Sequence, residues 1–600
     1  MKDLKTTDRT RIQWMLLVSA LFLLTAAILG GVIRSLDDLE ACGGWPLCGG
    51  RWLPSAGGVN LWPAYLHRLF SGLAFLSGSI SLIFIFRKAR RSAHLLGPVL
   101  LANLVMAVQV GLGAALDSGW GRGTSTAVHF GLALIAQALF VYPLVVSYLA
   151  SADRKSRPFS RRYLRVNGLV LILVGLVLVS GAVVAALDAA GGCAGWPLCR
   201  GFSLELNAIQ RLEVGHRLSV LTAGIGLAVL LIRAWQEARD QPALLTAAAA
   251  ALVLFISQGL MGAAETAGSY SPALRSLHQA AAVGVWTALI VHSALLIRLY
   301  DPAAAPREQE AARDPGKMAR DLFNLTKPIV VALLLVTTYA GMVIGAEAWP
   351  PVRLTFWVLL AGFMAAGGSG AINQFIDRAD DRRMQRTRER PIPSGRLTPA
   401  EGLAFGVALT VAAFYLMAAF VNMTAALLTL AGAVYYVLIY SILLKKTTVH
   451  NIVIGGGAGA LPPLVGWAAA AGSLNIPSLF LFAVVFMWTP PHFWALAIVR
   501  RKDYARADVP MLPVVQGVKE TRRQILIYTI ELVILTLLLP LFGLGGSIYF
   551  VLALGLGGWL LSAAWKVFKG EGNRVAWRMY RYSSMYLAFL FAALMADALI

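Results

Sequence analysis

Apolar stretches long enough to cross about 30 Å of hydrocarbon as helices recur along this chain from Trp14 to Ile600, roughly seventeen in all, and that recurrence leaves few folds open. A strand at that depth needs a closed barrel with alternating polarity, which continuous apolar runs lack. The expected fold is therefore an all-α polytopic membrane protein. Composition agrees, because 58% of the 600 residues are hydrophobic and only 14% are charged, too few for the water-facing surface of a soluble globule.

A net charge of +22 would suggest nucleic acid in a soluble protein, but here the basic residues fall in alternate connections. Lys2, Lys5, Arg9 and Arg11 precede the first span. Arg87, Lys88, Arg90 and Arg91 follow the second, and Arg154, Lys155, Arg157, Arg161, Arg162 and Arg165 follow the fourth. By the positive-inside rule these connections are cytoplasmic, so those around Cys42 and Cys193 face outward. The first span has a basic leader but is long and paired with later spans, which makes it a retained signal anchor. No nucleic-acid partner is expected.

Between Asp301 and Arg320 the pattern breaks into DPAAAPREQEAARDPGKMAR, a cytoplasmic linker without hydrophobic period. It separates residues 1–300, with eight spans, from residues 321–600, with nine. The N-terminus is then cytoplasmic and the C-terminus outside. Residues 1–300 are themselves duplicated, as units of about 1–150 and 151–300. CGGWPLC (Cys42 to Cys48) returns as CAGWPLC (Cys193 to Cys199) 151 positions on, and His67 and Arg68 return as His216 and Arg217. His129 returns as His278, so that 216 − 67 and 278 − 129 both give 149, and Gln109, Gly113 and Ala114 match Gln258, Gly262 and Ala263. The domain reads as two four-helix units of one design.

His67 and His216 sit in the first turns of the second and sixth spans, and His129 and His278 open the fourth and eighth. All four even spans start at the outer face, so these histidines share one depth. A lone histidine in a span is most often a polar contact between helices. Four at matched depth point instead to ligands, since intramembrane ionisable groups are costly and usually functional, and two facing imidazoles in a four-helix bundle can clamp a haem iron. Cys42, Cys48, Cys193 and Cys199 are the whole cysteine complement; each pair is able to close a disulfide, with free thiols or a redox relay as open alternatives. The five-residue gap disfavours zinc. His94 and His450 lie at loop edges without a specific role, and His292 is ambiguous, deep in the eighth span.

These features together resemble the haem A synthase family, over the whole of residues 1–300. The resemblance implies oxidation of a ring methyl of haem O to a formyl group, with His67 and His129 flanking the substrate haem and His216 and His278 holding haem b as cofactor. One departure stands out. The family often carries a glutamate three residues before the first histidine, where it could assist proton removal; here that position is Ala64, and the second copy has Glu213 before His216. Either another group serves, or the two halves have exchanged roles.

In residues 321–600 the charged signature is NQFIDRADDRRMQRTRERPIPSG, Asn373 to Gly395. Asn373, Asp377 and Asp381 recur every four residues and would share one helix face, a plausible Mg²⁺ site with Asp380 nearby. A second acidic stretch, RRKDYARADVPMLPV, holds Asp503 and Asp508 on the same side. Arg378, Lys445, Lys446, Arg500 and Lys502 supply positive charge suited to diphosphate oxygens. Such a pocket would ionise an allylic diphosphate and shelter the carbocation from water. This half resembles the intramembrane prenyltransferase superfamily, and more narrowly haem O synthase (protohaem farnesyltransferase), through MQRTRERP (Met384 to Pro391), NIVIGGGAGALPPLVGW (Asn451 to Trp467) and WTPPHFWALA (Trp488 to Ala497). The family commonly has an aspartate at the place of Ala379; here the acid is Asp380. His492 is either a haem contact or a helix-packing residue.

The two resemblances together imply conversion of protohaem, with farnesyl diphosphate, to haem O and then haem A. Haem b and Mg²⁺ are the implied cofactors. The expected partners are the small-molecule substrates, the bilayer of a bacterial cytoplasmic membrane, an electron-transfer partner the sequence does not identify, and assembly factors of a terminal oxidase. The rival reading is a bis-histidine membrane cytochrome fused to a quinone-type prenyltransferase, which would hold two low-spin haems and yield no formyl haem. A haem transporter, the third reading, would have no use for the acidic motifs.

Overall fold

The computed structural model describes residues 5–36, 42, 44–46, 48–54, 61–90, 92–117, 123–149, 159–187, 193, 199, 206–266, 271–302 and 314–600. Lys2, Arg91, Arg154, Lys155, Arg157, parts of both cysteine motifs and residues 303–313 of the linker lie outside them. The described chain is helical, and an isolated bridge joins Cys48 and Arg51. Among the described residues, sixteen helices are long and apolar enough to cross a membrane. The seventeenth apolar run is the helix Asn573–Ala598, whose first third carries Arg574, Arg578 and Arg581 and so falls short on composition, not on length. Helices satisfy the backbone internally, the only solution apart from a barrel in hydrocarbon.

The chain divides into two compact units, Met1–Glu310 and Ala311–Ile600. The first has α1 (Thr6–Ser35), α2 (Leu61–Lys88), α3 (Ala93–Asp117) and α4 (Thr124–Leu149), then α5 (Arg161–Ala186), α6 (Ala208–Ala238), α7 (Pro242–Thr266) and α8 (Pro272–Leu299). Each odd helix packs on the even helix after it, and α1 and α4 also pack on α8, joining the two repeats. That seam is polar at intervals: Trp286 Nε1 donates to the Leu134 carbonyl at 2.8 Å, and the Ser35 and Ser276 hydroxyls bond at 2.7 Å. Hydrogen bonds between helices replace the water that the bilayer lacks.

The second unit has α9 (Pro315–Leu325), α10 (Pro328–Ala346), α11 (Val352–Arg383), α12 (Pro399–Phe420) and α13 (Met423–Val434), which continues as a π-helix over Tyr435–Leu444. There follow α14 (Asn451–Gly455), α15 (Gly457–Ala471), α16 (Ile476–Val499), α17 (Arg501–Arg506), α18 (Leu512–Val515), α19 (Gly517–Leu538), α20 (Ser547–Lys569) and α21 (Asn573–Ala598). The amphipathic α9 begins inside the stretch read as linker and buries Leu325. Starts follow local chemistry: Pro315, Pro328 and Pro399 occupy first-turn positions, and Thr398 with Glu401 closes a capping box on α12. The core gathers α15, α16, α19, α20 and α21 around Trp494, Tyr549, Tyr586 and Phe591.

Candidate functional sites

In the first unit the four repeated histidines are set up alike. Each ring on an even helix lies against a glycine of the odd helix before it: His67 against Gly30, His129 against Gly113, His216 against Gly181 and His278 against Gly262. A Cβ on any of these glycines would stand 3.0 to 3.4 Å from the imidazole Cε1, so only glycine leaves the ring its full room. The repeat marks Gly113 and Gly262 in the sequence, and Gly30 and Gly181 stand 151 positions apart, the spacing of the cysteine motifs.

The ring centroids of His67 and His129 are 6.4 Å apart and tilted by 57°. His216 and His278 are likewise close enough to interact. His67 Nδ1–H donates to the Ala26 carbonyl at 2.8 Å. Ser180 Oγ–H donates to the Val177 carbonyl at 3.0 Å, so the 2.9 Å contact to His216 Nδ1 has the imidazole as donor. Each ring therefore carries a proton on Nδ1, and in the neutral imidazole that tautomer leaves Nε2 bare as a ligand atom. Two Nε2 atoms each about 2 Å from one iron would set their ring centroids roughly 6 Å apart, and the spacing of the first pair matches that separation. His292 is different: it bonds the Tyr163 hydroxyl and the Leu244 carbonyl, as a packing histidine does.

Cys42 is bonded to Cys48 and Cys193 to Cys199, which settles the open question of the cysteines in favour of disulfides. Arg68 donates to the Cys42 carbonyl and ties that loop to α2. Glu213 is 3% exposed and pairs with Arg217.

The second unit's acidic site assembles on the end of α11. Asn373, Asp377, Asp380 and Asp381 are all buried, each at 6% exposure or less. Asn373 Nδ2 donates to Asp377 at 2.7 Å and to Ser441 Oγ at 3.0 Å. Lys445 pairs with Asp377, Lys446 with Asp380 at 2.6 Å, and Arg390 with Asp381 at 2.8 Å. Asp377 keeps one buried oxygen, Oδ1, without a partner. The π-helix carries Ser441 and delivers Lys445, whose amide bonds the Tyr440 carbonyl five residues back, to Asp377. Such segments recur at functional sites because one inserted residue rotates the downstream helix.

No sequence motif points to Lys327. It precedes Pro328 in the left-handed region, φ +55°, and its ammonium donates to Asn373 Oδ1 at 2.8 Å and the Tyr436 hydroxyl at 3.4 Å. A lysine rarely adopts that conformation, and such strain collects at functional sites. Burial, reinforced by the charges of Arg390 and Lys445, pulls its pKa down to about 7. Lys445 goes the other way: burial opposes its charge, but Tyr440 and Asp377 outweigh that and hold it above the usual lysine range.

Two expected members make other contacts. Arg378 donates to the Phe375 carbonyl at 2.6 Å and lies 4.5 Å over the Phe375 ring, folded back on its own helix. Asp503 pairs with Arg506, and no hydrogen bond or ion pair joins it to Asn373, Asp377 or Asp381 among the described residues. Asp508 is exposed and pairs with Arg383 at 3.2 Å. His492 lies between Trp488 and Tyr580, 4.1 and 4.4 Å away, and bonds Ser583 Oγ at 2.8 Å. No group of three acidic, histidine or cysteine side chains forms a ready cation cage among the described residues. Hard oxygen donors already paired with lysine and arginine, with one carboxylate oxygen left over, nonetheless suit a cation that arrives with a diphosphate.

Two family models match the chain: the UbiA prenyltransferase family over residues 334–590, and a cytochrome oxidase assembly protein family, COX15-CtaA, over residues 57–289. A protein named Protoheme IX farnesyltransferase from Roseiflexus sp. (strain RS-1) is 39% identical, across 83% of this chain and 96% of its own. One of the same name from Chloroflexus aurantiacus is 34% identical and spans 98% of both chains. A third, from Gloeobacter violaceus, is 48% identical over 46% of this chain and 92% of its own. Among solved structures, a UbiA homolog from Archaeoglobus fulgidus bound to DMAPP and Mg²⁺ aligns with a TM-score of 0.36 at 17% identity, over 46% of this chain and 99% of that one.

Proposed function

The chain belongs to the protoheme IX farnesyltransferase family, and from that premise we propose that its second unit joins farnesyl to a vinyl group of protohaem, giving haem O, while its first unit oxidises haem O to haem A. It is an integral membrane enzyme, a transferase with an oxidoreductase domain. The observation that carries the farnesyl step is the buried set of Lys327, Asn373, Asp377 and Lys445, closed by Arg390 on Asp381. Asn373, Asp377 and Asp381 are the residues that would hold Mg²⁺, with Asp503 as a further candidate, and Mg²⁺ bound there would neutralise the diphosphate leaving group. Lys327, Lys445 and Arg390 offer cationic donors to the same oxygens. Tyr436 and Tyr440, stacked 5.5 Å apart, would shelter an allylic cation from water beside that set.

The oxidation step rests on the paired histidines and the family match. His67 with His129, and His216 with His278, are the residues that would hold haem iron, and a resident haem b would supply electron transfer. The N-terminus lies in the cytoplasm and the C-terminus outside, which sets farnesyl transfer at the inner face and the histidines toward the outer one.

Purified chain given protohaem and farnesyl diphosphate is expected to form haem O, to stop when divalent metal is chelated and to resume on adding Mg²⁺, while chelation leaves its low-spin haem absorbance unchanged. Metal-independent transfer would refute the acidic site, and the lack of any Soret band would refute the haem-bearing unit.

The low pKa of Lys327 gives a second expectation. Its charged form is present below about pH 7 and lost above, so kcat/KM for farnesyl diphosphate should fall up to tenfold per pH unit beyond that point. In Lys327→Arg, whose side chain stays protonated, the same limb should be flat between about pH 6 and 9. An unchanged profile in that variant would assign the limb to another group.

A further inference from the structure

The first unit is built twice, so a task common to both copies marks both of them, and a task held by one copy appears as a difference. The common part is the histidine pairs, the glycines behind them and the disulfides. The difference is acidic. Glu213, three residues before His216, and Glu265, three residues after Gly262, have Ala64 and Leu116 as counterparts 149 positions earlier.

A spacing of three sets Glu213 on the face of α6 that carries His216, and Glu265 on the face of α7 whose Gly262 backs His278. Each keeps one buried carboxylate oxygen without a partner, Oε2 of Glu213 and Oε1 of Glu265. The other side of Glu213 is held by Arg217, and Arg275 attracts Glu265. Arg68, the counterpart of Arg217, finds no carboxylate at Ala64 and turns to the Cys42 carbonyl. Helix packing alone would explain neither orphaned oxygen, since unsatisfied carboxylate in a membrane interior is costly and is kept for a use.

We propose that the second repeat, not the first, holds the haem whose methyl group is oxidised, and that Glu213 and Glu265 bind the water that becomes its formyl oxygen. The inference rests on the oxidase reading of this unit and reverses the allocation that the family resemblance implies. Two C–H bonds of the methyl and both O–H bonds of one water break, one C=O bond forms, and four protons and four electrons leave. The electrons pass to a quinone-class acceptor in the bilayer and the protons to water. A dry, apolar haem pocket offers that water nothing to hold it; two free carboxylate oxygens do. The first repeat, with Ala64 and Leu116, suits a permanently bound haem that must exclude water.

The test uses the full chain, purified from cells, with bound haems extracted and separated and low-spin haem b absorbance measured per protein. Glu265→Leu and Glu213→Ala install the first repeat's own residues; Glu213→Gln keeps an acceptor for Arg217 should Glu213→Ala fail to fold. Each is expected to lower haem A at least tenfold, with haem O in its place and haem b unchanged. His216→Ala should lose bound haem O and haem A but keep haem b, and His67→Ala should lose the haem b absorbance. Loss of haem b in His216→Ala with its retention in His67→Ala overturns the allocation, and wild-type haem A in both glutamate variants overturns their role. A wild-type chain that makes haem O but no haem A sinks the oxidation reading instead, and the comparison of His67→Ala with His216→Ala still decides which repeat keeps the resident haem.

Discussion

Asp377→Ala is expected to abolish haem O and, with it, haem A, leaving protohaem unconverted in cells that carry the chain as their only source. Asp377 ties the cluster together: it accepts from Asn373, pairs with Lys445 and presents an orphaned oxygen to an incoming cation. Its removal deletes a metal ligand and leaves the Lys445 ammonium buried without its counter-charge. Losing one preorganised electrostatic partner costs on the order of 10²–10³ in rate, and losing both functions at once should exceed that. The matched control is Asp508→Asn, which keeps a residue tolerant of the left-handed backbone found there, φ +54°. Its partner Arg383 is exposed, so the pair is worth roughly 0–1 kcal/mol and haem O yield should stay within about twofold. Extraction of haems from both strains decides it; haem O at wild-type levels in Asp377→Ala would remove α11 from the reaction.

Features of this chain are legible in its sequence to the extent that their signals are local. Span positions and the repeat can be read because hydrophobicity and spacing are periodic along the sequence, and the four histidines inherit that regularity. The contact of Arg378 is not legible, because adjacency to Asp377 means a turn of about 100° round the helix, and its guanidinium meets the Phe375 carbonyl. Lys327 escapes notice for the converse reason, since its partners Asn373 and Tyr436 lie 46 and 109 residues away and no motif links them. The π-helix gives no composition signal: YYVLIYSILL reads as an ordinary apolar span, yet its extra residue aims Lys445. Asn573–Ala598 is recognisable as a helix from its apolar latter part, with its basic start set against the threshold for a span.

Gly466→Ala should prevent the second unit from assembling, because α10 and α15 meet backbone to backbone there. A Cβ at position 466 would lie 1.8 Å from the Thr338 carbonyl oxygen, and one at Gly341 would lie 2.2 Å from that of Pro463. Neither obstacle is the end of a flexible side chain, so relief requires the helices to part, at a cost of about 3 kcal/mol or more. Small residues at such crossings replace the hydrophobic drive that lipid cannot supply. Gly459, on the same helix, meets nothing within 4 Å, and Gly459→Ala should be neutral or slightly stabilising. Detergent-extracted yield and thermal midpoint separate the two: a Gly466→Ala chain as abundant and as stable as Gly459→Ala would show that the crossing is loose. The fold and the chemistry are linked through α10, whose first residue follows Lys327. Any molecules of Gly466→Ala that do fold have α10 displaced and Lys327 drawn off Asn373, so their haem O rate per folded molecule should fall as well.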